Sequence, residues 1–378
     1  MAARVPFFAT CAPGVEPLLH AEVRELGLGR VERQVGGVYF EGTLRDAWRA
    51  NLHLRTAIRV LQRVARFPCA DEAELYDGVG GVDWGGFLRP EGTLVVDAHV
   101  NDSALTHSRF VEQRTKDAVV DQIRSRTGTR PSVGREDADL GIHVHLFRDR
   151  CTLLVDTSGG SLHRRGWRVA QGRAPLSETL AAAVVLATGW DRRSPFLDPF
   201  CGSGTLLVEA LHLADGVAPG LRRSFGFERW PGHDERAWAR LRDEARQAER
   251  PVSKLQVRGF DRDPERLDEA RANLESAGLA ERVVLEEAEA LDFAPRSGWN
   301  GHVVSNLPYG ERVNRGEDVE GLYRAFGERL RSRCAGYRVG LLGPAGRLSR
   351  AFGLADAERL ALKNGGLDCI LTKAEIHA

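Results

Sequence analysis

Long apolar runs are absent from this sequence of 378 residues. The longest, such as residues 180–187, fall far short of the roughly 20 apolar residues that a membrane-spanning helix requires. Near the start, the apolar piece at residues 5–9 is shorter than the core of a signal peptide, and Glu16 follows it closely. We therefore expect no membrane segment and a cytoplasmic protein.

Cysteine is sparse, and lysine is sparser. The six cysteines form no Cys-x-x-Cys pair, which argues against a disulfide framework, and we expect buried thiols and no bound metal. Only four of the 53 basic residues are lysines, and the rest are arginines. The formal net charge of zero argues against nucleic-acid binding through bulk charge alone, although arginine suits bidentate phosphate contacts.

Apolar periodicity predicts an α+β organisation for the first part of the chain. A strand, a helix, a strand and a helix are expected in that order at residues 7–10, 17–26, 35–41 and 44–54. They are followed by a strand, a helix and two further strands at residues 93–100, 111–124, 142–147 and 151–156. This order indicates one small module followed by a second.

Residues 161–175 carry neither apolar period, and we interpret them as a linker. They contain Arg164, Arg165, Arg168 and Arg173 and no acidic residue. One interpretation is a solvated connector, and the other is an arginine strip that faces RNA phosphate.

Helices and strands alternate after residue 175, which predicts a mostly parallel sheet covered by helices. Helices are expected at residues 180–188 and 205–214. The strands are expected at residues 195–198, 255–261, 283–286, 303–306, 338–342 and 369–374.

The first motif, at residues 196–205, joins a strand to a helix through a turn that contains Gly202 and Gly204. Ligands of open α/β sheets bind beyond the carboxyl ends of such strands, and glycines allow close approach of the backbone. It is not a phosphate loop, because no Gly-Lys-Ser/Thr follows, and Leu207 replaces the third glycine of a dinucleotide fingerprint. Asp198 can pair with a cation, such as the amino group of S-adenosylmethionine.

The second motif, at residues 259–264, places Asp261 at the end of a strand and Pro264 at the start of a helix. A carboxylate at this point can accept hydrogen bonds from both ribose hydroxyls of a nucleoside. The alternative role is a helix N-cap, for which Asp263 is the better candidate.

The third motif, at residues 304–309, contains Asn306, Leu307, Pro308 and Tyr309 at another strand end. Enzymes that methylate a planar exocyclic amine use this Asn-x-Pro-Tyr arrangement. The Asn306 side-chain oxygen and the Leu307 carbonyl can hold the amine, while Pro308 stiffens the turn and Tyr309 can stack on the base. The alternative is a plain tight turn. Cys201 has no base beside it in sequence, so we do not expect a nucleophile there.

With these motifs the chain resembles the bacterial THUMP-domain guanine-N2 methyltransferases of 23S rRNA. Further resembling segments are residues 117–121, 128–131, 143–146, 156–168, 174–182, 227–234 and 363–369. The resemblance implies a ferredoxin-like domain at residues 1–55, a THUMP RNA-binding domain at 56–160 and the linker at 161–175. Residues 176–378 would form a Rossmann-like class I α/β methyltransferase domain with a mostly parallel, seven-stranded sheet.

The resemblance also implies S-adenosyl-L-methionine as the cofactor, with Asp261 on its ribose. The adenine-binding pair of the family corresponds to Glu287 and Ala288, and Glu289 is the alternative. The other cofactor residues would be Thr179, Asp198, Pro199, Phe200, Gly202, Gly204, Thr205, Arg262 and Asn306. The catalytic residues would be Asn306, Leu307, Pro308 and Tyr309, and RNA would contact Arg164, Arg165 and Arg168.

Three functions therefore stay open. The first is methylation of guanine N2 in structured RNA, with rRNA preferred over tRNA as the partner. The second is methylation of adenine N6 in nucleic acid, and the third is a non-catalytic RNA-binding assembly factor. We expect a monomer, and the sequence gives neither the modified nucleotide nor the number of methyl groups added.

Overall fold

The computed structural model describes residues 4–134, 137–172, 175–309, 318–354 and 356–377, which fall into two units, each with one sheet. The first unit comprises Met1–Cys11, Leu19–Leu162 and Arg223–Glu244. The second comprises Ala12–Leu18, His163–Arg222 and Ala245–Ala378. The chain thus leaves the second unit at Arg223 and returns to it at Ala245.

The sheet of the first unit has eight strands. They are β1 (Val5–Thr10), β2 (Gly29–Gln34), β3 (Gly37–Gly42), β4 (Arg59–Pro68), β5 (Thr93–Asn101), β6 (Ser132–Val133), β7 (Leu140–Phe147) and β8 (Arg150–Asp156). The spatial order is β2-β3-β1-β4-β8-β7-β5-β6. The helices in this part of the chain are α1 (Glu16–Glu25), α2 (Leu44–His53), α3 (Glu72–Gly80) and α4 (Ser108–Thr127).

Four of these elements, β2, β4, β6 and α3, were not predicted; β6 has only two residues, and each of the other three has a local reason. Strand β2 is largely exposed, so it shows no apolar alternation. A register irregularity between Arg63 and Ala65 interrupts the alternation of β4 where it pairs with β8. Helix α3 contains Gly78 and Gly80, which are poor helix formers.

A charge cluster around the buried Asp156 joins four strands of this sheet. Asp156 on β8 is only 3% exposed and accepts a hydrogen bond from Arg59 on β4. His143 on β7 lies 3.9 Å from an oxygen of Asp156 and 3.5 Å from one of Asp97 on β5. Burial lowers the pKa of His143, but its hydrogen bonds with Asp156 and Asp97 prevail and raise it to about 8.

Aromatic packing explains why Arg223–Glu244 belongs to the first unit. The ring of Trp48 on α2 stacks on Phe227 at 5.4 Å between centroids and meets Trp238 edge-on at 6.2 Å. Phe227 and Trp238 are themselves in edge contact at 5.1 Å. Trp238 and Trp230 are both nearly inaccessible and belong to the core.

The sheet of the second unit has seven strands in the order β11-β10-β9-β12-β13-β15-β14. The strands are β9 (Phe196–Asp198), β10 (Val257–Asp261), β11 (Val283–Glu287), β12 (His302–Asn306), β13 (Arg338–Pro344), β14 (Glu358–Asn364) and β15 (Leu367–Glu375). Strands β9 to β13 pair in parallel, and β15 pairs antiparallel with both β13 and β14. The predicted mostly parallel, seven-stranded sheet is therefore confirmed.

The remaining helices are α5 (Glu178–Ala187), α6 (Thr205–Asp215), α7 (Glu235–Gln247), α8 (Pro264–Ala277) and α9 (Val319–Arg333). Helix α8 begins as expected, since the Asp263 side chain accepts a hydrogen bond from the Glu265 N–H at 2.9 Å. In the described ranges no helix is both long enough and apolar enough to cross a lipid bilayer. Strand β9 lies between β10 and β12, where the strand order reverses direction, and ligands bind at such switch points.

Candidate functional site

The carboxyl ends of β9, β10 and β12 meet at one cavity. Asp198, Asp261 and Asn306 are the last residues of these strands, and all three line a cavity of about 360 Å³. The structure thus brings together residues that lie more than 100 positions apart in the chain. The arrangement offers two carboxylates and one amide to a bound ligand.

The glycine turn forms one wall of this cavity. Its backbone is held by the Cys201 N–H, which donates to the Phe260 carbonyl at 2.9 Å. Gly202 and Gly204 have φ values of +51° and +79°, in the left-handed region that disfavours side chains. A Cβ on Gly204 would also lie 3.3 Å from the Cβ of Ala270 on α8. The backbone conformation at residue 204 therefore favours glycine, and a side chain there would also pack tightly against Ala270.

The carboxylate of Asp261 is held by two backbone amides. One oxygen accepts from the Gly202 N–H at 2.9 Å, and the other accepts from the Asp263 N–H at 3.1 Å. Burial raises the pKa of Asp261, although these two hydrogen bonds oppose the increase. Each carboxylate oxygen keeps a further lone pair, so Asp261 is suited to accept two hydrogen bonds from a diol.

Asp198 is positioned by a residue that the sequence interpretation missed. The Asp198 side chain is 1% exposed and accepts hydrogen bonds from the Ser305 hydroxyl and, at 3.2 Å, from the Phe200 N–H. Ser305 precedes Asn306 on β12 and is fully buried, so it links the first motif to the third. Its place beside the asparagine was visible in the sequence, but a lone serine carries no signal of its partner.

The third motif divides between the cavity and the core. Asn306 and Pro308 line the cavity, whereas Leu307 is fully buried and donates its N–H to the Leu342 carbonyl at 3.0 Å. Tyr323 on α9 donates its hydroxyl to the Pro308 carbonyl at 3.2 Å. Two backbone contacts therefore fix this segment in front of the cavity.

Tyr309 is not placed as the sequence suggested. It is 6% exposed, and its hydroxyl accepts from the Asn364 side chain on β14 at 2.8 Å. The Cys369 thiol also lies 3.6 Å from this hydroxyl. In this structure the ring does not line the cavity, because its hydroxyl is bound by the antiparallel strand pair. The interpretation of Tyr309 as a base-stacking residue therefore finds no support here.

The predicted cofactor residues divide in the same way. The ones that line the cavity are Asp198, Pro199, Phe200, Gly202, Thr205, Asp261, Arg262, Ala288 and Asn306. Among the described residues, Thr179, Gly204 and Glu287 do not. The lining includes Glu289, Arg266 and Glu269, of which only Glu289 was considered. Arg266 and Glu269 form an ion pair on α8. Their spacing of three residues allows such a pair in a helix, but it did not identify either residue as part of the cavity.

Cys201 also lines the cavity, and its thiol is not activated. Burial raises its pKa well above the usual value, and the nearby carboxylates of Asp198 and Asp261 raise it further. The thiolate is therefore suppressed, in keeping with the expectation that Cys201 is not a nucleophile.

The arginine-rich linker is packed into the protein. Arg165 is 3% exposed and pairs with Glu209 of α6 at 3.4 Å, and Glu209 itself is 1% exposed. Arg168 is 13% exposed at its side chain and pairs with Glu178 at 2.8 Å. Arg164 is exposed, and Arg173 lies outside the described residues. Arg165 and Arg168 are therefore matched by buried carboxylates, which supports neither a phosphate-facing strip nor a fully solvated connector at these two residues.

Comparison with known families gives three matches along the chain. A model described as the RlmL ferredoxin-like domain matches residues 6–61, and one of the THUMP domain matches residues 69–156. A model described as the RMKL-like methyltransferase domain matches residues 165–373. The expected order of a ferredoxin-like domain, a THUMP domain and a methyltransferase domain is confirmed.

Comparison with individual proteins gives similar results. The chain is 40% identical over 380 residues to a ribosomal RNA large subunit methyltransferase K/L of Pseudomonas paraeruginosa, which covers 98% of this chain and 52% of the relative. The chain thus spans about half the length of that relative. The chain is 32% identical to SMU.472, whose crystal structure was solved in complex with SAH. The two structures superpose with a TM-score of 0.90, and the match covers 100% of both chains. The chain is also 32% identical to a Listeria monocytogenes protein described as a predicted N6-adenine-specific DNA methylase. Here the TM-score is 0.88, and the match covers 98% of this chain and 96% of the Listeria chain.

Proposed function

Because the chain belongs to the RMKL-like methyltransferase family, we propose that it methylates the exocyclic N2 amine of a guanosine in ribosomal RNA, with S-adenosyl-L-methionine as methyl donor. The observation that carries the proposal is the convergence of Asp198, Asp261 and Asn306 on one cavity. A similar protein, SMU.472, was crystallised with SAH, and the K/L relatives are named for ribosomal RNA.

The residues around the cavity fit this donor. Asp198 is a nearly inaccessible carboxylate, which suits the positively charged amino group of the methionine end. Asp261 offers its two oxygens to the ribose hydroxyls. For the adenine amine we propose Glu289 instead of Glu287, since only Glu289 lines the cavity. The bound cofactor supplies an electrophilic methyl group.

Asn306 has the central chemical role in this proposal. An aromatic amine delocalises its lone pair into the ring and is a weak nucleophile. The Asn306 side-chain oxygen accepts a hydrogen bond from this amine and orients it toward the methyl group; Leu307 is fully buried and does not line the cavity. No strong base is needed when the proton leaves after methyl transfer, so positioning and electrostatics carry the rate.

The RNA contacts are proposed for the first unit and for the exposed Arg164. A THUMP domain matches residues 69–156, and recognition of folded RNA depends on shape and backbone more than on base sequence. Because the net charge is zero, RNA binding must depend on local basic residues. The slope of RNA affinity against salt concentration then reports how many phosphates these residues contact.

The second candidate is methylation of adenine N6 in nucleic acid. The Asn-x-Pro-Tyr arrangement can hold either amine, and the Listeria protein of the same fold is described as a predicted adenine-specific DNA methylase. Guanine N2 is preferred because the described chain carries a THUMP domain in addition to the methyltransferase domain.

Mass spectrometry of nucleosides distinguishes these functions. rRNA, tRNA and DNA are isolated from cells with the gene, without it, and with an Asn306→Ala copy. We expect N2-methylguanosine in 23S rRNA to disappear in the last two samples only. Loss of N6-methyladenine would favour the second candidate, and unchanged nucleosides in all samples would favour a non-catalytic assembly factor.

A further inference from the structure

Arg168, which the sequence assigned to RNA, directs its guanidinium toward the cofactor cavity instead. Its Nε donates to the Glu178 carboxylate at 2.8 Å, and one terminal nitrogen donates to the Leu176 carbonyl at 3.0 Å. The terminal nitrogens also reach the hydroxyls of Thr205 at 2.9 Å and Ser203 at 3.4 Å. Three of these four partners, Leu176, Ser203 and Thr205, line the cavity.

Asn273 on α8 also binds Ser203, which lies in the glycine turn between Gly202 and Gly204. It is fully buried, and its side-chain oxygen accepts from the N–H groups of Val169 and Ala170 at 2.9 and 3.0 Å. Its amide nitrogen donates to the carbonyls of Ala170 and Ser203 at 2.8 and 2.9 Å. One side chain thus joins residues 167–172, here called the strap, to the glycine turn.

We infer that Arg168 and Asn273 are positioning residues for the methyl donor. This inference rests on the proposed function, since it assumes that the cavity binds S-adenosylmethionine. The two side chains hold Ser203 through its hydroxyl and its carbonyl, so the turn is fixed before the ligand arrives. Ordering a loop at the moment of binding weakens affinity, and a preformed wall avoids that loss.

Two observations separate this role from simple stabilisation and from RNA binding. Three of the four partners of Arg168 lie on the cavity wall. The charge of Arg168 is matched by Glu178, whose side chain is only 4% exposed, so Arg168 attracts RNA phosphate only weakly. The strap also touches the cavity directly at Gly172, where a Cβ would collide with the guanidinium of Arg266.

The test compares Arg168→Ala, Arg168→Lys and Asn273→Ala with the wild-type chain. The matched control is Arg271→Ala, which removes an arginine that is about half exposed on α8 and pairs with Asp268. Binding of S-adenosylhomocysteine is measured by calorimetry, together with the Tm and with the salt dependence of RNA binding.

We expect Arg168→Ala and Asn273→Ala to raise the Kd for S-adenosylhomocysteine by about 10- to 100-fold, the value of one charged or two neutral hydrogen bonds. Arg168→Lys should recover only part of the affinity, because an ammonium cannot reproduce the planar fork. The affinity of these variants for RNA and the salt dependence of that affinity should be unchanged. The control variant Arg271→Ala should bind S-adenosylhomocysteine with the wild-type Kd. At saturating cofactor, kcat should stay near the wild-type value while KM for the donor rises.

A double variant tests whether the two residues act through the same turn. Because both hold Ser203, Arg168→Ala with Asn273→Ala should raise the Kd by less than the product of the single effects. If Arg168→Ala does not fold, Thr205→Val removes one of its acceptors with little change in shape. A lower Tm with a Kd within twofold of wild type would overturn the inference, as would a flatter RNA salt slope for Arg168→Ala. A wild-type chain that bound no S-adenosylhomocysteine would overturn the proposed function as well.

Discussion

Replacement of Asp261 by alanine tests the cofactor site most directly. The carboxylate is held by the N–H groups of Gly202 and Asp263, one on each oxygen, so it is oriented before any ligand binds. A hydrogen bond to a charged group contributes about 1.5–3 kcal/mol. We therefore expect Asp261→Ala to weaken cofactor binding by about that amount, a factor of roughly 10 to 150 in Kd. Asp261→Asn should lose less, since one oxygen remains.

Calorimetric titration with S-adenosylhomocysteine at several pH values is the assay. Burial raises the pKa of Asp261, and the ribose hydroxyls bind the charged form. The affinity of the wild-type chain should therefore fall as the pH decreases toward this raised pKa, whereas that of Asp261→Asn should change less. An identical Kd for wild type and Asp261→Ala at pH 8 would refute the assignment of the ribose to this residue.

Three further changes probe the catalytic segment and the first unit. Asn306→Ala should abolish turnover in a methyl-transfer assay and leave the calorimetric Kd of the cofactor nearly unchanged; a large affinity loss would contradict its role. Tyr323→Phe frees the Pro308 carbonyl and should lower kcat about fivefold, roughly 1 kcal/mol, without raising KM for the donor. In the third case, the pKa of His143 is about 8, because its two carboxylate neighbours outweigh the effect of burial. Its stabilisation of about 2 kcal/mol is complete below pH 6.5 and is lost as the pH rises through 8, so His143→Asn should flatten the dependence of unfolding free energy on pH in that range.

The three motifs were predictable because each follows a buried strand. Apolar residues that end abruptly in Asp198, Asp261 or Asn306 mark strand ends, and in a parallel sheet the ends of neighbouring strands share one edge. The order of the sheet could not be deduced from the motifs alone. It is the placement of β9 between β10 and β12 that makes the first motif a neighbour of both others.

The linker was misinterpreted because an arginine-rich stretch gives no sign of where its charges are matched. The partners of Arg165 and Arg168 are Glu209 and Glu178, which lie on helices whose other residues are mostly apolar. A glutamate buried in such a helix needs a cation, and that need is visible in the sequence only after the helix faces are known. The apolar composition of both helices predicts that they are buried, but it does not say which cation pairs with each glutamate.

The acid proposed for the adenine amine shows the same limit at a single residue. Strand β11 ends at Glu287, but the pairing with β10 extends one residue further, because the Ala288 N–H donates to the Asp261 carbonyl at 3.1 Å. This bond ties Ala288 to the strand end that carries Asp261, and Ala288 and Glu289 both line the cavity while Glu287 does not. Within a strand, alternation fixes the face of every side chain, but beyond the last ladder bond the chain can turn. The proposal of Glu289 over Glu287 therefore rests on which of the two lines the cavity, and a motif match alone could not decide it.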